Sequence, residues 1–158
     1  MLPEEIAKFI GQVTGNVRVM EVEKGAIRRF ADAVEDENPL YRDEEYARNS
    51  RYGSIISPPG FFGWSTKTTR GGGGPGATTE LNAAYDKAGL KRVLDGGMEY
   101  DFFCPVRPGD TLVATSMIKD ITEVEGRTGK MAIQITETTY VNQNGDLVAR
   151  ARGTMVRR

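Results

Sequence analysis

The sequence contains no histidine and only one cysteine, Cys104. Without histidine the chain cannot assemble a Ser-His-Asp or Cys-His catalytic arrangement, and a histidine-ligated metal site is excluded as well. A single cysteine can form neither an internal disulfide nor a thiolate zinc site, and its position between Phe103 and Pro105 predicts a small buried apolar side chain. Any acid-base chemistry must use Asp, Glu, Tyr or Lys, or a residue from another subunit.

The sequence also lacks an excess of either charge and any long apolar run. There are 21 Lys and Arg residues against 22 Asp and Glu, a net charge of −1, and the charges are interspersed. This balance argues against nucleic acid or an anionic membrane as a partner. No apolar run approaches the roughly 20 residues that span a bilayer, and the N-terminus lacks the features of a signal peptide. We therefore expect a cytoplasmic protein.

The length of 158 residues predicts one domain, residues 1–158. In its first half, apolar spacing predicts helices over residues 3–12 and 24–34, with a strand over 17–22 between them. The Asn38-Pro39 pair ends the second helical segment, and Asp43 is placed to cap a short helix over 43–49. Ser57 followed by two prolines predicts a buried helix from about Pro59 to Lys67.

The second half is rich in strands, with a helical segment over residues 78–94 before them. Alternating patterns predict strands over 98–104, 110–118, 130–141 and 146–157, and Asn144-Gly145 predicts a hairpin between the last two. One series, Met131, Ile133 and Ile135, and a second, Leu147, Ala149 and Ala151, are predicted on one sheet face. Helices first and a strand meander later predict an α+β fold, an antiparallel sheet with helices on one face.

Three stretches resemble the MaoC-like (R)-specific enoyl-CoA hydratases and dehydratases, in particular the FAS1-like dehydratase branch. They are FADAVEDENPL at 30–40, IISPPGF at 55–61 and YDFFCPVRPGDTL at 100–112. The resemblance implies a hot-dog fold, in which a curved antiparallel sheet wraps around a central helix, with further short helices. It also implies that two such units pair side by side, as a dimer or a double hot dog.

Active members of this family carry Asp, any residue, Asn, Pro, an aliphatic residue and His, and the Asp and His activate water. In this sequence Asp36, Asn38 and Tyr41 fall on the Asp, Asn and His positions. A phenol with a pKa near 10 is a poor base at neutral pH, whereas an imidazole titrates near 6.5. The residues therefore favour a structural turn in which Tyr41 packs its ring, over a complete catalytic site in this chain.

The resemblance also implies a substrate-binding wall. A helix starting near Pro59 would leave the amides of Gly60 and Phe61 free for a thioester oxyanion, and a close approach of helix and sheet explains Gly60 equally well. Phe61, Phe62 and Trp64 fit the core better than a pocket. Gly71 to Gly74 fits a flap rather than a phosphate loop. Arg107 could bind a CoA phosphate, and so could four C-terminal arginines, Arg150, Arg152, Arg157 and Arg158. Isolated charges on a solvated surface explain these arginines too.

Three functions remain open on this sequence. The first is a subunit of an (R)-specific enoyl-CoA hydratase or 3-hydroxyacyl thioester dehydratase, which supplies acyl binding and support to a His-bearing MaoC-like partner. The second is a non-catalytic acyl-CoA-binding homodimer, and the third a self-sufficient hydratase or thioesterase using Asp36. No cofactor and no metal is expected. The acyl chain, the pathway and the choice between CoA and acyl carrier protein, or between homo- and hetero-oligomer, stay open.

Overall fold

A computed structural model describes residues 1–13, 17–68, 79–127 and 129–158. Six strands form one antiparallel sheet in the order β2-β1-β4-β5-β6-β3. Their bounds are β1 Arg18–Glu21, β2 Trp64–Thr68, β3 Val93–Phe102, β4 Thr111–Gly126, β5 Gly129–Val141 and β6 Leu147–Arg157. The α+β prediction is confirmed, and the predicted flap at Gly71 to Gly74 lies outside the described residues.

Four helices accompany the sheet: α1 Glu4–Ala7, α2 Lys24–Ala33, α3 Glu44–Arg48 and α4 Thr79–Lys87. The first three confirm predicted helices, with α1 shorter than expected. Asp43 caps α3 as predicted, because its Oδ1 accepts a hydrogen bond from the Tyr46 amide at 2.9 Å. The helix predicted over residues 78–94 is confirmed in its first half only, since Val93 and Leu94 already belong to β3.

All helices with buried residues pack on one face of the sheet, which we call the inner face. Near the β1 end of β4, α2 contributes Ala26, Ile27 and Ala31 to a core that includes Leu112 and Ala114. Farther along, α1 and α4 form a second core over β4 and β5, composed of Ile6, Phe9, Leu81, Tyr85, Leu90, Ile118, Ile121 and Ala132. Register shifts within β3, β4 and at the end of β5 help the sheet to curve around these cores.

The prediction that two strand series share one face is wrong. Ala149 pairs with Tyr140 and Ala151 with Thr138, which places these alanines on the inner face, whereas Ile133 and Ile135 pair with Val156 and Thr154 on the outer face. The buried residues of β5 are instead alternate, mostly polar ones: Ala132, Gln134, Thr136, Thr138 and Tyr140. They remain buried because they bond to one another and to neighbouring elements, as in Ser116 to Thr138 at 2.8 Å.

The predicted buried helix from Pro59 to Lys67 is also wrong. Gly60 and Gly63 both have φ of +87°, which a helix cannot accommodate, and Trp64–Thr68 is a strand paired with β1. At Gly63 a Cβ would lie 2.4 Å from the carbonyl oxygen of Glu21. The chain therefore passes close against β1 at this point, and the β-forming residues after Gly63 extend the sheet.

Candidate functional site

The Asp36–Tyr41 turn begins at the end of α2. Glu35 adopts φ of +56°, the left-handed conformation that usually requires glycine after a helix. The amides of Glu35 and Asp36 donate to the carbonyls of Asp32 and Ala31 at 3.2 and 2.9 Å, the paired bonds of a Schellman motif. This motif reverses the chain direction and presents Asp36 at the start of the next turn.

Asp36 and Asn38 hold the turn with their side chains. Asp36 Oδ1 accepts a hydrogen bond from the Asn38 amide at 3.0 Å, and Asn38 Oδ1 accepts one from the Leu40 amide at 3.0 Å. The latter bond caps a short 3₁₀ turn, Pro39–Tyr41. Arg42 adds support, since it donates to the Asp36 carbonyl at 2.6 Å and pairs with Asp32 at 3.1 Å. Each bond belongs to the architecture of the turn, as local side-chain caps do.

Tyr41 is only 6% exposed and belongs to the core that contains α2. Burial raises the pKa of its phenol above the ordinary value, and the negative charge of Asp36 raises this pKa further, while a hydrogen bond with Asn38 acts in the opposite direction. The phenol is therefore protonated at neutral pH. It can donate a hydrogen bond or shape a cavity there, but it cannot accept the proton of a nucleophilic water.

A cavity of about 490 Å³ opens beside this turn, and we call it the motif cavity. Four residues singled out from the sequence lie in its wall, Asn38, Tyr41, Pro59 and Phe61, whereas Asp36, Gly60, Trp64 and Arg107 do not. The wall also includes residues that sequence reasoning did not assign to the site, among them Tyr52, Phe102, Phe103 and Cys104. Cys104 is half-buried, not buried as predicted, because it faces this cavity.

The segment between Ser57 and Trp64 does not provide the expected oxyanion site at a helix N-terminus. The Phe61 amide donates to the Pro58 carbonyl at 3.1 Å within a turn, and Ser57 Oγ donates to the Phe61 carbonyl at 2.7 Å. Among the described residues, the Gly60 amide has no hydrogen-bond partner. No helix begins in this segment, so the helix dipole that the predicted oxyanion site required is absent. Of the two amides predicted to be free, those of Gly60 and Phe61, the Gly60 amide alone is unpaired among the described residues.

The three aromatic residues of this segment have different environments. Phe61 and Phe62 are each 5% exposed, in agreement with a core role, and Phe61 stacks on Phe30 with ring centroids 4.8 Å apart. Trp64 is 57% exposed, so its assignment to the core is wrong. The reason is that Trp64 begins β2, an edge strand, and no described element covers its outer side.

The arginines considered for phosphate binding mostly have protein partners. Arg107 donates to the Tyr52 carbonyl at 2.7 Å and bonds to Ser54, so it fixes a loop. On the outer face Arg150 and Arg152 lie 3.8 and 4.0 Å from Glu137, and Arg152 also pairs with Asp101 at 2.7 Å. Arg157 is buried against Asn82 and the Tyr85 ring. Arg158 is exposed and forms no ion pair with a described residue.

A second concave region, the inner-face groove, runs between β3, β5 and β6 with a volume of about 300 Å³. Its walls are mostly small or apolar side chains, among them Val93, Met98, Ala151 and Met155, and they include one carboxylate, Asp95. A stacked aromatic cluster lies towards the far end of β3, where Phe62 packs on Tyr140 at 4.0 Å and Tyr100 on Phe102 at 5.6 Å. Such a surface suits an extended apolar ligand with few polar groups.

Strand β3 forms an edge of the sheet, and within the described residues its one pairing partner is β6. Its inner-face side chains are unusually exposed for apolar residues, with Met98 at 56%, Tyr100 at 39% and Phe102 at 49%. A long apolar edge strand with free backbone groups is a surface that proteins normally cover or pair. Within the described part of the chain, this edge is therefore a surface suited to contact another subunit.

Within residues 1–13, 17–68, 79–127 and 129–158, no helix is long and apolar enough to cross a membrane. No group of three or more Cys, Asp or Glu side chains in those ranges is arranged to hold a metal ion.

Comparisons with known proteins agree with this geometry. The family described as FAS1-like, dehydratase domain region, matches residues 8–151. A UPF0336 protein of Streptomyces griseus is 31% identical over 150 residues, 95% of this chain and 93% of its own length. A probable enoyl-CoA hydratase alpha subunit of Thermomonospora curvata is 26% identical over 162 residues, which cover 98% of this chain and 51% of that protein.

Solved structures support the same fold. A chain of the ChsH1-ChsH2 complex from Mycobacterium tuberculosis superimposes with a TM-score of 0.80 at 19% identity, covering 97% of this chain and 93% of that one. A chain of the HadBC (3R-hydroxyacyl-ACP dehydratase) complex from the same organism superimposes with a TM-score of 0.67 at 23% identity. The match covers 94% of this chain and 96% of that one. The chain has the hot-dog fold of MaoC-like dehydratases, and it belongs to the family of FAS1-like dehydratase domains.

Proposed function

We propose that this chain is one subunit of a paired (R)-specific enoyl-CoA hydratase or 3-hydroxyacyl thioester dehydratase, in which a second hot-dog chain supplies the catalytic histidine. Adding water to an enoyl thioester needs a group that accepts and returns a proton near neutral pH. The observation that carries the proposal is Tyr41, which takes the place of the family's histidine, is buried, and has a raised pKa. The chain contains no histidine elsewhere.

The remaining features fit the role of a substrate-binding subunit. The inner-face groove and the motif cavity offer apolar walls to an acyl chain. Asp36 and Asn38 keep the turn in shape. The Gly60 amide, which no described residue accepts from, lies between Pro59 and Phe61 of the cavity wall and would donate one hydrogen bond to a thioester oxygen. In this arrangement the partner's Asp and His would activate water, while this chain would bind and orient the acyl group.

The exposed edge of β3 supports pairing. Two hot-dog chains that pair through equivalent edge strands bury the row of Met98, Tyr100 and Phe102 and satisfy the free backbone groups of both edges. Two relatives in fold come from complexes named with two components, ChsH1-ChsH2 and HadBC, and one relative in sequence is named an alpha subunit. These names support a paired assembly for this chain.

The test is co-expression with a MaoC-like chain that carries an intact Asp-x-Asn-Pro-aliphatic-His motif, followed by a crotonyl-CoA hydration assay. We expect a stoichiometric complex that is active, whose activity is lost when the partner's histidine is replaced and changes less than about threefold with Asp36→Asn in this chain. The matched control is the isolated chain, expected to be inactive. Hydration by the isolated chain that disappears in Asp36→Asn would instead establish a self-sufficient hydratase.

A second candidate follows from β3, because the same edge can pair with a second copy of this chain. In that case the assembly is a non-catalytic acyl-CoA-binding homodimer. This candidate predicts a stable homodimer that binds acyl-CoA. Co-expression with His-bearing MaoC-like chains would then yield neither a complex nor hydration of crotonyl-CoA.

A further inference from the structure

A chain of buried hydrogen bonds ends in the wall of the inner-face groove. The Tyr85 hydroxyl donates to Gln134 Oε1 at 3.0 Å, and Gln134 Nε2 donates to Thr136 Oγ1 at 3.0 Å. All three residues are buried, with exposed fractions of 0%, 1% and 7%. Thr136 is the last member of this chain of donors, and it lines the groove.

The Thr136 hydroxyl still has a proton to donate. Its oxygen accepts from Gln134, but no described residue accepts the hydroxyl proton of Thr136. The neighbouring Thr138 differs, because its Oγ1 lies 2.8 Å from Ser116 Oγ and shares a hydrogen bond with it. A hydroxyl group can donate one hydrogen bond while it accepts another, and a buried donor without an acceptor is costly. Thr136 therefore offers a donor to any ligand in the groove.

A buried cation strengthens this chain of donors. The guanidinium carbon of Arg157 lies 4.9 Å from the centroid of the Tyr85 ring, and Arg157 is only 7% exposed. No carboxylate of a described residue forms an ion pair with Arg157. Burial raises the pKa of the Tyr85 phenol, and the positive charge of Arg157 acts in the opposite direction, which makes the phenol a better donor to Gln134. Linked hydrogen bonds polarise one another, so Thr136 also becomes a better donor.

The groove leaves room for a ligand beside Thr136. Gly153 of β6 pairs with Thr136 of β5 on one side and with Met98 of β3 on the other, so the floor here has no side chain. The Met98 side chain lies over this floor, since its methyl carbon would be 3.3 Å from a Cβ at Gly153. Methionine is flexible, and Met98 is 56% exposed, so it can move aside. An apolar group can then lie across Gly153 with an oxygen at Thr136.

The charge of the wall decides which oxygen fits. Asp95 is a carboxylate in the wall of the groove, and its Oδ1 accepts a hydrogen bond from the Gly97 amide at 2.9 Å. No lysine or arginine of the described residues lines the groove. A ligand carboxylate would therefore be repelled, because like charges in a partly desolvated site interact strongly. A neutral hydroxyl or ketone oxygen accepts from Thr136 without that repulsion.

We propose that the inner-face groove selects acyl thioesters with a neutral oxygen, a hydroxyl or a ketone, on the distal part of the acyl group, and that Thr136 is the residue that determines this specificity. The proposal rests on the proposed function for the thioester end of the ligand. The motif cavity and the groove meet where Phe62, in the wall of the former, stacks on Tyr140, in the wall of the latter. Thr136 lies four residues before Tyr140 on β5, roughly 14 Å along the strand. The selected oxygen is therefore far from the thioester, and a short acyl group does not reach Thr136.

The test is calorimetric titration of the full chain with dodecanoyl-CoA and with hydroxydodecanoyl-CoA and oxododecanoyl-CoA thioesters whose oxygen is moved along the distal half of the acyl chain. We expect the best-placed oxygen to tighten binding at least about fivefold relative to dodecanoyl-CoA, because it accepts from a donor that is otherwise unpaired. The CoA thioester of dodecanedioic acid, which ends in a carboxylate, should bind more weakly than this best ligand. Thr136→Val should reduce the preference to less than about twofold, and Thr136→Ser, which keeps the hydroxyl, should retain it.

The matched control is Thr115→Val in β4, which changes a threonine that pairs with Thr139 on the outer face and should leave the preference unchanged. Thermal melts establish that every variant is folded. The proposal is overturned if the wild type binds all these thioesters equally or binds none of them, or if Thr136→Val keeps the preference. Loss of dodecanoyl-CoA binding in Thr136→Val also overturns it, because the hydroxyl would then act on the shape of the groove. Crotonyl-CoA is too short to reach Thr136, so its hydration by the paired chains tests the proposed function separately.

Discussion

Tyr41 shows how the burial of one side chain decides the chemistry of a whole motif. Its phenol lies at the end of a turn that is otherwise complete, with Asp36, Asn38 and Pro39 in place and their hydrogen bonds made. Burial and the nearby Asp36 charge move the pKa of this phenol upward, away from neutral pH. The turn retains its geometry without a group that exchanges protons under ordinary conditions.

Replacing this one side chain tests that argument. We expect Tyr41→His in the isolated chain to hydrate crotonyl-CoA at least about tenfold faster than the uncatalysed background, to which the wild type adds nothing, since a positioned general base contributes roughly 10²–10⁴-fold. The activity should fall below pH of about 6.5, where an imidazole becomes protonated. A steady-state assay across pH 5 to 9 measures both effects.

The control for this change is Tyr41→Phe, which also removes the hydroxyl but supplies no base. It should remain as inactive as the wild type. A folded Tyr41→His protein with no gain in hydration would show that Tyr41 does not occupy a position from which a base reaches the substrate.

Tyr85 is a second residue whose hydroxyl has a defined role. It is fully buried between α4 and β5, and it donates to Gln134 Oε1 at 3.0 Å. We expect Tyr85→Phe to lower the free energy of unfolding by about 1–2 kcal/mol at pH 7, because a buried hydrogen bond is lost. Urea denaturation measures this change, and Tyr46→Phe on the exposed side of α3 should have little effect.

The same tyrosine predicts a dependence on alkaline pH. Burial raises the pKa of Tyr85 to about 12, above the value of about 10 for an unfolded tyrosine. A raised folded-state pKa means that the stabilising contribution of the neutral phenol is complete below pH of about 10 and is lost as the pH rises through about 12. Between pH 9 and 11.5 the wild type should therefore lose stability more steeply than Tyr85→Phe, and parallel pH profiles would contradict this assignment.

At the scale of single elements, β2 depends on the approach of Gly63 to β1. Gly63 has φ of +87°, and a Cβ there would lie 2.4 Å from the carbonyl oxygen of Glu21. We expect Gly63→Ala to cost roughly 3 kcal/mol or more, since it combines backbone strain with a clash against the main chain. Thermal and urea unfolding of the purified variant measure the cost.

Gly53 offers a matched comparison for this prediction. Its φ of +69° is similarly left-handed, but nothing lies within 4 Å of the position where a Cβ would be. Gly53→Ala should therefore cost only about 1 kcal/mol, the backbone strain alone. Equal costs at the two glycines would mean that the contact with β1 contributes nothing to stability.

The strands of the second half are the elements that the sequence predicts well. Their alternation and the Asn144-Gly145 turn are local signals, and Gly145 has the positive φ of +87° that such a turn requires. Which residues of β5 point to the inner face of the sheet does not depend on local sequence alone. Gln134 and Thr136 lie on the inner face because they bond to each other at 3.0 Å and because Gln134 also bonds to Tyr85, a partner 49 residues away. A pattern of hydrophobicity alone places Ile133 and Ile135 there instead.

The candidate site also has parts that local sequence predicts and parts that depend on distant residues. The turn from Asp36 to Tyr41 follows from adjacent residues, so the sequence predicts it. The helix after Ser57 is not observed because two glycines in left-handed conformations and the pairing of β2 with β1 override the proline signal.

For the whole molecule, the exposed edge of β3 is the surface through which we propose that the chain pairs. We expect the double variant Met98→Glu/Tyr100→Glu to lose pairing with itself or a partner, because two charges would be buried in an apolar contact. Sedimentation velocity should show a monomer at micromolar concentration where the wild type associates. Tyr46→Glu, an equally exposed position on α3, serves as the control and should leave association unchanged.

If the double variant still associates, the contact between subunits lies elsewhere on the molecule. Co-purification with a His-bearing chain provides a second measurement of the same prediction. There the double variant should lose the partner, and the Tyr46→Glu control should retain it.

The open edge of β3 also has a consequence for the cell that makes this protein. In the proposed pair, a newly synthesised copy would expose one edge of a ten-residue strand until the second chain covers it. An unpaired copy would then be expected to bind chaperones, to be degraded or to aggregate. Balanced synthesis of the two chains would therefore set the yield of the assembly, and surplus copies of either chain would be degraded.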